Sequence, residues 1–171
     1  MKNNLEIFRE DYLYANTWAQ RREGVPLDLL DNLTKEELKI AERELIDTLS
    51  LKDTWQITGL GYIKSSNSLP KLYELLSEAD SYMKIFIAHS IFQICEDKEM
   101  VEITLNEAKN VTSQYLIIDF LYLLPDFNDK RVDNLLHEFH ENENYLVAYN
   151  AARVLGLSTD EVVRKFAAKR K

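Results

Sequence analysis

Cysteine, glycine, proline and histidine are all scarce in this chain, with one, four, three and three of them among 171 residues. The single thiol, Cys95, can close no internal disulfide and hold no cysteine-based zinc site, which fits a reducing compartment. Three histidines offer no evident nucleophile–base pair. No run approaches the roughly 18 apolar residues that a membrane span needs. The opening Met1-Lys2-Asn3-Asn4-Leu5-Glu6 has no apolar h-region. The sequence therefore predicts a cytoplasmic chain with no membrane partner. The few glycines and prolines fall at segment edges and no long alternating β-branched run competes, so nearly the whole chain reads as helices joined by short polar turns.

What is present is charge, mostly negative. With 46% apolar and 29% charged residues and a net charge of -8, the chain has the make-up of one domain of the usual ~100–200 residues. Basic side chains number 7 against 11 acidic ones over residues 1–50, 9 against 17 over 51–160, and 5 against 1 over 161–171. Between Glu96 and Glu143 twelve carboxylates meet only Lys98, Lys109, Lys130 and Arg131. Such a field repels phosphate backbones and attracts a basic protein, so nucleic acid is not an expected partner. The basic tail Arg164, Lys165, Lys169, Arg170 and Lys171 reads as cations favoured at the C-terminal end of a helix.

The first segment places Leu5, Phe8, Tyr12 and Ala15 at helical spacing, with Trp18 three residues further, and stops near Gly24-Val25-Pro26. The second opens with Thr34-Lys35-Glu36-Glu37. There the Thr34 hydroxyl can accept from the Glu37 N–H while the Glu37 carboxylate reaches back to the Thr34 N–H, a capping box. Leu38, Ala41, Leu45 and Leu49 then mark one buried stripe down to about Ser50.

From there the sequence repeats. Leu60, Phe92, Leu124 and Leu155 close apolar segments that begin near Trp55, Tyr82, Tyr115 and Tyr145. Leu69, Val101, Val132 and Val163 follow in the same phase, as do Leu76, Ala108 and Phe139, and Leu72, Leu135 and Phe166. Polar or breaking residues separate the halves, at Lys64–Asn67, Glu96–Lys98, Pro125–Asp129 and Ser158–Asp160. A period of about 31–32 residues holding two helices is the signature of stacked helical hairpins. The fold class read from the sequence is therefore all-α. It is an α-solenoid of antiparallel helix pairs over 51–171, with repeats at about 51–81, 82–113, 114–144 and 145–171. Residues 1–50 form an N-terminal helical cap and partial repeat, and the whole is one continuous domain.

The stretches WQITGLGYIKSSNSLPKL (Trp55 to Leu72) and YLVAYNAARVLGLSTDEVV (Tyr145 to Val163) resemble short bacterial HEAT-like repeats. The likeness rests on Leu60-Gly61 and Leu155-Gly156 closing the first helix, Ala151-Ala152 inside it, and Leu69-Pro70 opening the second. The second and third repeats carry Gln93 and Pro125 where the others have glycine. The resemblance implies a binding surface made by the second helices of successive repeats. Alkylpurine DNA glycosylases of HEAT-like fold use a basic groove, and this chain has the opposite sign.

Several residues suggest chemistry. His137, His140 and Glu141, with Asp133, share a helical neighbourhood that can in principle hold a metal. The spacing is neither that of a zinc protease nor Glu-x-x-His. His89, in an apolar segment, reads as a hydrogen-bonded boundary residue. Cys95, beside Glu96 and Asp97, reads as a buried or partly buried structural thiol. Gly59-Leu60-Gly61 lacks the context of a phosphate loop and reads as close helix packing.

What remains is surface. The period aligns three rows across the second helices: Pro70, Glu102 and Asp133; Glu74, Asn106 and His137; Glu78, Asn110 and Glu141. Rows of like charge cost stability, which suggests a use. The chain is therefore expected to be a protein-binding module, not an enzyme, without cofactor or metal, and monomeric when free. Its partner is a basic protein, toxin or enzyme, met by Glu74, Glu78, Glu102, Asn106, Asp133, His137 and Glu141, with Tyr73 as an aromatic anchor. In the most concrete form of the resemblance, it is a bacterial immunity protein, an antitoxin that neutralises a cognate toxin. The alternatives are a scaffold or adaptor subunit for an endogenous enzyme and, from another class, a metal-dependent enzyme centred on His137, His140 and Glu141. Residues 1–30 either cap the solenoid or contact the partner.

Overall fold

The computed structural model describes residues 2–169 and is all-helical, with no strand among them. The N-terminal part contains α1 (Asn4–Phe8), a π-helical turn (Arg9–Leu13), α2 (Trp18–Arg21), α3 (Asp28–Asp31) and α4 (Lys35–Thr48). Eight further helices follow: α5 (Thr54–Tyr62), α6 (Leu69–Glu78), α7 (Ser81–Cys95), α8 (Glu99–Ala108), α9 (Gln114–Leu121), α10 (Lys130–His140), α11 (Tyr145–Val154) and α12 (Thr159–Ala168). None of the described helices is long and apolar enough to cross a membrane. Two compact units divide the chain within α7. One runs to Ala79 and takes in Ser90–Glu96; the other joins Asp80–His89 to the chain from Asp97.

In the first unit, the expected single helix through Trp18 is broken. The Tyr14 N–H reaches back five residues to the Arg9 carbonyl at 2.9 Å. This wider turn carries one residue more than an α-turn and brings both Tyr12 and Leu13 inside, while leaving Tyr14 exposed. Thr17 then opens a new helix through its own capping box with Gln20, so Trp18 stands 77% exposed instead of continuing the buried stripe. The Thr34–Glu37 capping box opens α4 as expected, with Ala41, Leu45 and Leu49 buried. Burial around α5 is nearly complete, because α4 and the π turn pack on it and the second half of α7 meets it through Ser90, whose hydroxyl donates to the Ile57 carbonyl at 2.8 Å. Close approach fixes both glycines here. A Cβ at Gly61 would lie 2.8 Å from Ser90 Oγ and 2.9 Å from Gln93 Oε1, and one at Gly59 would collide with the Tyr12 hydroxyl.

The second unit is built of helix-on-helix packing: α8 on α10, α9 on α11, α10 on α11 and α11 on α12. Phe120 of α9 meets Phe139 of α10 edge-on at 5.8 Å, and Val132, Leu135, Leu136, Val147, Ala148, Ala151 and Ala152 complete the interior. Asp129 caps α10 by accepting from the Arg131 N–H at 2.9 Å, and Asn144 caps α11 through Leu146 N at 2.9 Å. The repeat spacing points to Val163 as the interior residue of α12, but Val163 is 44% exposed and its neighbour Val162 takes that place at 3%. The inward position comes one residue later from the helix start in α12 than in α8 or α10, where Val101 and Val132 hold it. Leu155 and Phe166 of the same pair are half-buried.

Candidate protein-binding face

All eight residues expected to meet a partner are solvent-exposed. Tyr73, Glu74 and Glu78 belong to α6 in the first unit, where Tyr73 is 40% exposed. The other five lie on α8 and α10 of the second unit or at the end of α10, and those two helices pack against each other. Glu102 and Asn106 stand on α8, Asp133 and His137 on α10, and Glu141 is the C-cap of α10.

The face is less negative than its rows suggest. Arg131 reaches from α10 to Glu102 on α8 and forks onto Asp129 as well, through Nε to Oδ1 at 3.0 Å and Nη2 to Oδ2 at 2.8 Å. These bonds hold the Asp129 carboxyl at about 2 and raise the guanidinium. Lys165 of α12 donates to Glu141 at 2.6 Å, and that bond draws the Glu141 carboxyl below the usual carboxylate range. Two of the expected partner-binding carboxylates, Glu102 and Glu141, are thus already paired within the chain. Among the described residues Asp133 makes no ion pair, and neither does Glu138, exposed on the same helix. The Arg131–Glu102 and Lys165–Glu141 pairs are solvent-exposed, so they set local charge more than stability.

A similar tie links α7 to α8. Glu107 accepts from the Ser81 hydroxyl at 2.6 Å and from Lys84 Nζ at 3.0 Å. The Ser81 bond leads in lowering the Glu107 carboxyl; burial works against it, and Lys84 and Asn110 reinforce it. Sequence rows built from identical positions could not show these ties. A signal was present for one of them, Glu102 and Arg131 being opposite charges 29 residues apart, close to one period, whereas Glu141 and Lys165 are only 24 apart.

The candidate chemistry is not assembled. Among the described residues no group of three or more histidine, cysteine, aspartate or glutamate side chains is placed to hold a metal ion. His137 is exposed, and His140 turns Nδ1 toward Glu141 at 3.4 Å. His89 is buried, with Nε2 2.8 Å from Asp126 Oδ2 and its ring edge-on to Phe127 at 5.6 Å. Cys95 is exposed, contrary to the expected buried or partly buried thiol, because it occupies the last position of α7. Its Sγ donates to the Ile91 carbonyl at 3.3 Å. Arg170 and Lys171 of the basic tail lie outside the described residues.

A cavity of about 480 Å³ adjoins this face, lined by residues at the ends of α8 and α10 and the starts of α9 and α11. Its lining residue Glu138 directly follows His137, and Asn142 directly follows Glu141. No sequence signal announces it, because its walls come from four segments that are individually ordinary.

The chain matches no protein-family model, no curated protein and no solved structure.

Proposed function

We propose that this chain is a protein-binding module of stacked HEAT-like helix pairs whose second-helix face, on α8 and α10, takes a basic protein. Two local patterns support the stacked reading. In the second unit two helices pack on their counterparts in the next pair, α8 on α10 and α9 on α11, as a one-dimensional array requires. The turn that closes the first helix of each pair also contains a left-handed residue, Lys64, Glu96, Asn128 and Gly156 in succession, the first three spaced by 32.

The observation that carries the binding reading is the exposure of Asp133, Asn106 and His137 together on two packed helices, with Asp133 unpaired among the described residues. A fixed, exposed, uncompensated carboxylate beside amide and imidazole donors is suited to steering and orienting lysine and arginine side chains. The most concrete form of this role is an immunity protein that neutralises a cognate toxin.

Capture of partners from lysate and secreted fractions at low and high salt, followed by mass spectrometry, tests it. A basic toxin-like protein released by salt is the expected result. With that partner in hand, Asp133→Lys is expected to slow association roughly threefold to tenfold at low salt, with dissociation little changed. Equal association rates for variant and wild type, or a partner that salt does not release, would overturn the reading.

A further inference from the structure

The cavity beside the acidic face divides by chemistry. Its apolar walls are Ile117, Leu135, Phe139 and Val147, all buried, while Lys109 and Glu138 on its lining are exposed. Gln114 and Asn144 bring amides to the same space and are tied to each other, Asn144 Nδ2 donating to Gln114 Oε1. Asn144 is anchored further by its cap bonds to Leu146 N and Val147 N, so this side of the cavity is fixed by α11.

A volume of about 480 Å³ falls in the ~300–1,000 Å³ range of ligand sites. It is large for one aliphatic side chain and suits an aromatic one with its adjoining backbone. Charge selects what carries that side chain. Glu138 has no ion-pair partner among the described residues, so a segment bearing lysine or arginine is favoured beside it over an acidic one. Lys109, the C-cap of α8, brings one ammonium donor to the lining.

We propose that this cavity is the socket of the interface: it receives one aromatic side chain of the basic partner, while a neighbouring cation of the same segment pairs with Glu138. The proposal rests on the reading that the α8–α10 face meets a basic protein, and it names what that partner must present. Anchors of this kind, an aromatic residue in a desolvated pocket ringed by polar groups, carry most of the energy of protein interfaces.

The test is an amide NMR titration of the full chain with three probes: acetyl-Lys-Phe-Lys-amide, acetyl-Lys-Ala-Lys-amide and acetyl-Glu-Phe-Glu-amide. Saturable shifts centred on Val111, Ile117 and Val147 are expected with the first probe alone. Glu138→Lys should weaken that binding about tenfold, and Thr112→Trp, which adds bulk on the lining, should abolish it. Both substitutions fall at exposed positions, and the remaining amide peaks report in the same spectra that the fold is intact. No saturable shift at those amides, equal binding of the alanine or acidic probe, or binding unaffected by both variants would each overturn the socket. The two readings fail separately. A salt-released partner without peptide binding sinks the socket alone, and peptide binding without a basic partner sinks the wider interface reading alone.

Discussion

The two units reach order by different routes. In the first, an irregular segment without a repeat is tied by polar contacts that converge on the start of α5. Arg21 forks onto Asp53 at 2.6 and 2.7 Å and lies 4.2 Å over the Trp55 ring, and the Tyr12 hydroxyl donates to the Trp55 carbonyl at 2.8 Å. Burial holds that phenol well above its ordinary pKa. In the second unit the polar ties are spread along the chain: Tyr82 to Asp119, His89 to Asp126, Tyr122 to Asn150 and Arg131 to Glu102. Burial raises the Asp119 carboxyl, with the Tyr82 bond acting against it. Ties spread over several helices share the fixing of the second unit, whereas the N-terminal segment of the first depends on one cluster.

The largest expected effect lies in the second unit, whose helices are held by packing. Phe120→Ala should cost about 3–5 kcal/mol in urea unfolding, because Phe120 is fully buried between α9 and α10 and its neighbours belong to separate helices that cannot simply close the gap.

Next comes the cluster. Asp53→Ala removes the cap of α5 and the partner of Arg21 together, and should cost about 2 kcal/mol. Asp129→Ala, which also removes a helix cap but stands in the spread network, should cost less in the same assay. Burial works to raise the Asp53 carboxyl, but the bonds from Arg21 and the Trp55 N–H outweigh it and hold the group below its ordinary value. Its contribution is therefore complete above the unfolded carboxylate pKa of about 3.9 and is lost as pH falls through the lowered folded value. Asp53→Asn should flatten the acid limb of a stability–pH curve below about pH 4. Unfolding curves of Asp53→Ala and Asp129→Ala that coincide would erase the contrast between the units.

The smallest effect has the opposite sign. Lys64 and Glu96 adopt φ of 52° and 54°, a conformation that costs a side-chain-bearing residue roughly 1–2 kcal/mol. Lys64→Gly should therefore raise stability by about 0.5–1 kcal/mol after the entropic penalty of glycine. A loss instead would show that the Lys64 side chain contributes to the turn.

Much of the helical order after residue 51 was legible because helical periodicity reports burial directly: α5, α7, α9 and α11 begin within one residue of Trp55, Tyr82, Tyr115 and Tyr145, where the apolar segments were expected to start. The capping box at Thr34 was legible for the same reason, being a local rule with local residues. The break before Trp18 was not, since a π turn leaves no mark in an apolar pattern. Nor were the left-handed turns at Lys64 and Glu96, where glycine or asparagine would have announced them. On the candidate face, exposure of the rows was legible, but their charge was not. Arg131 and Lys165 neutralise Glu102 and Glu141 from positions that a row alignment does not compare.

The same break in the N-terminal helix leaves the chain with two tryptophans in opposite optical settings. Trp18 stands in water beside Arg22, while Trp55 is 5% exposed beneath the Arg21 guanidinium. One indole emits as a solvated chromophore open to collisional quenchers, the other as a shielded one whose spectrum shifts only when α5 loses its cover. The molecule thus carries its own pair of dyes, one reading the state of its surface and the other the integrity of its latch, without any label being attached.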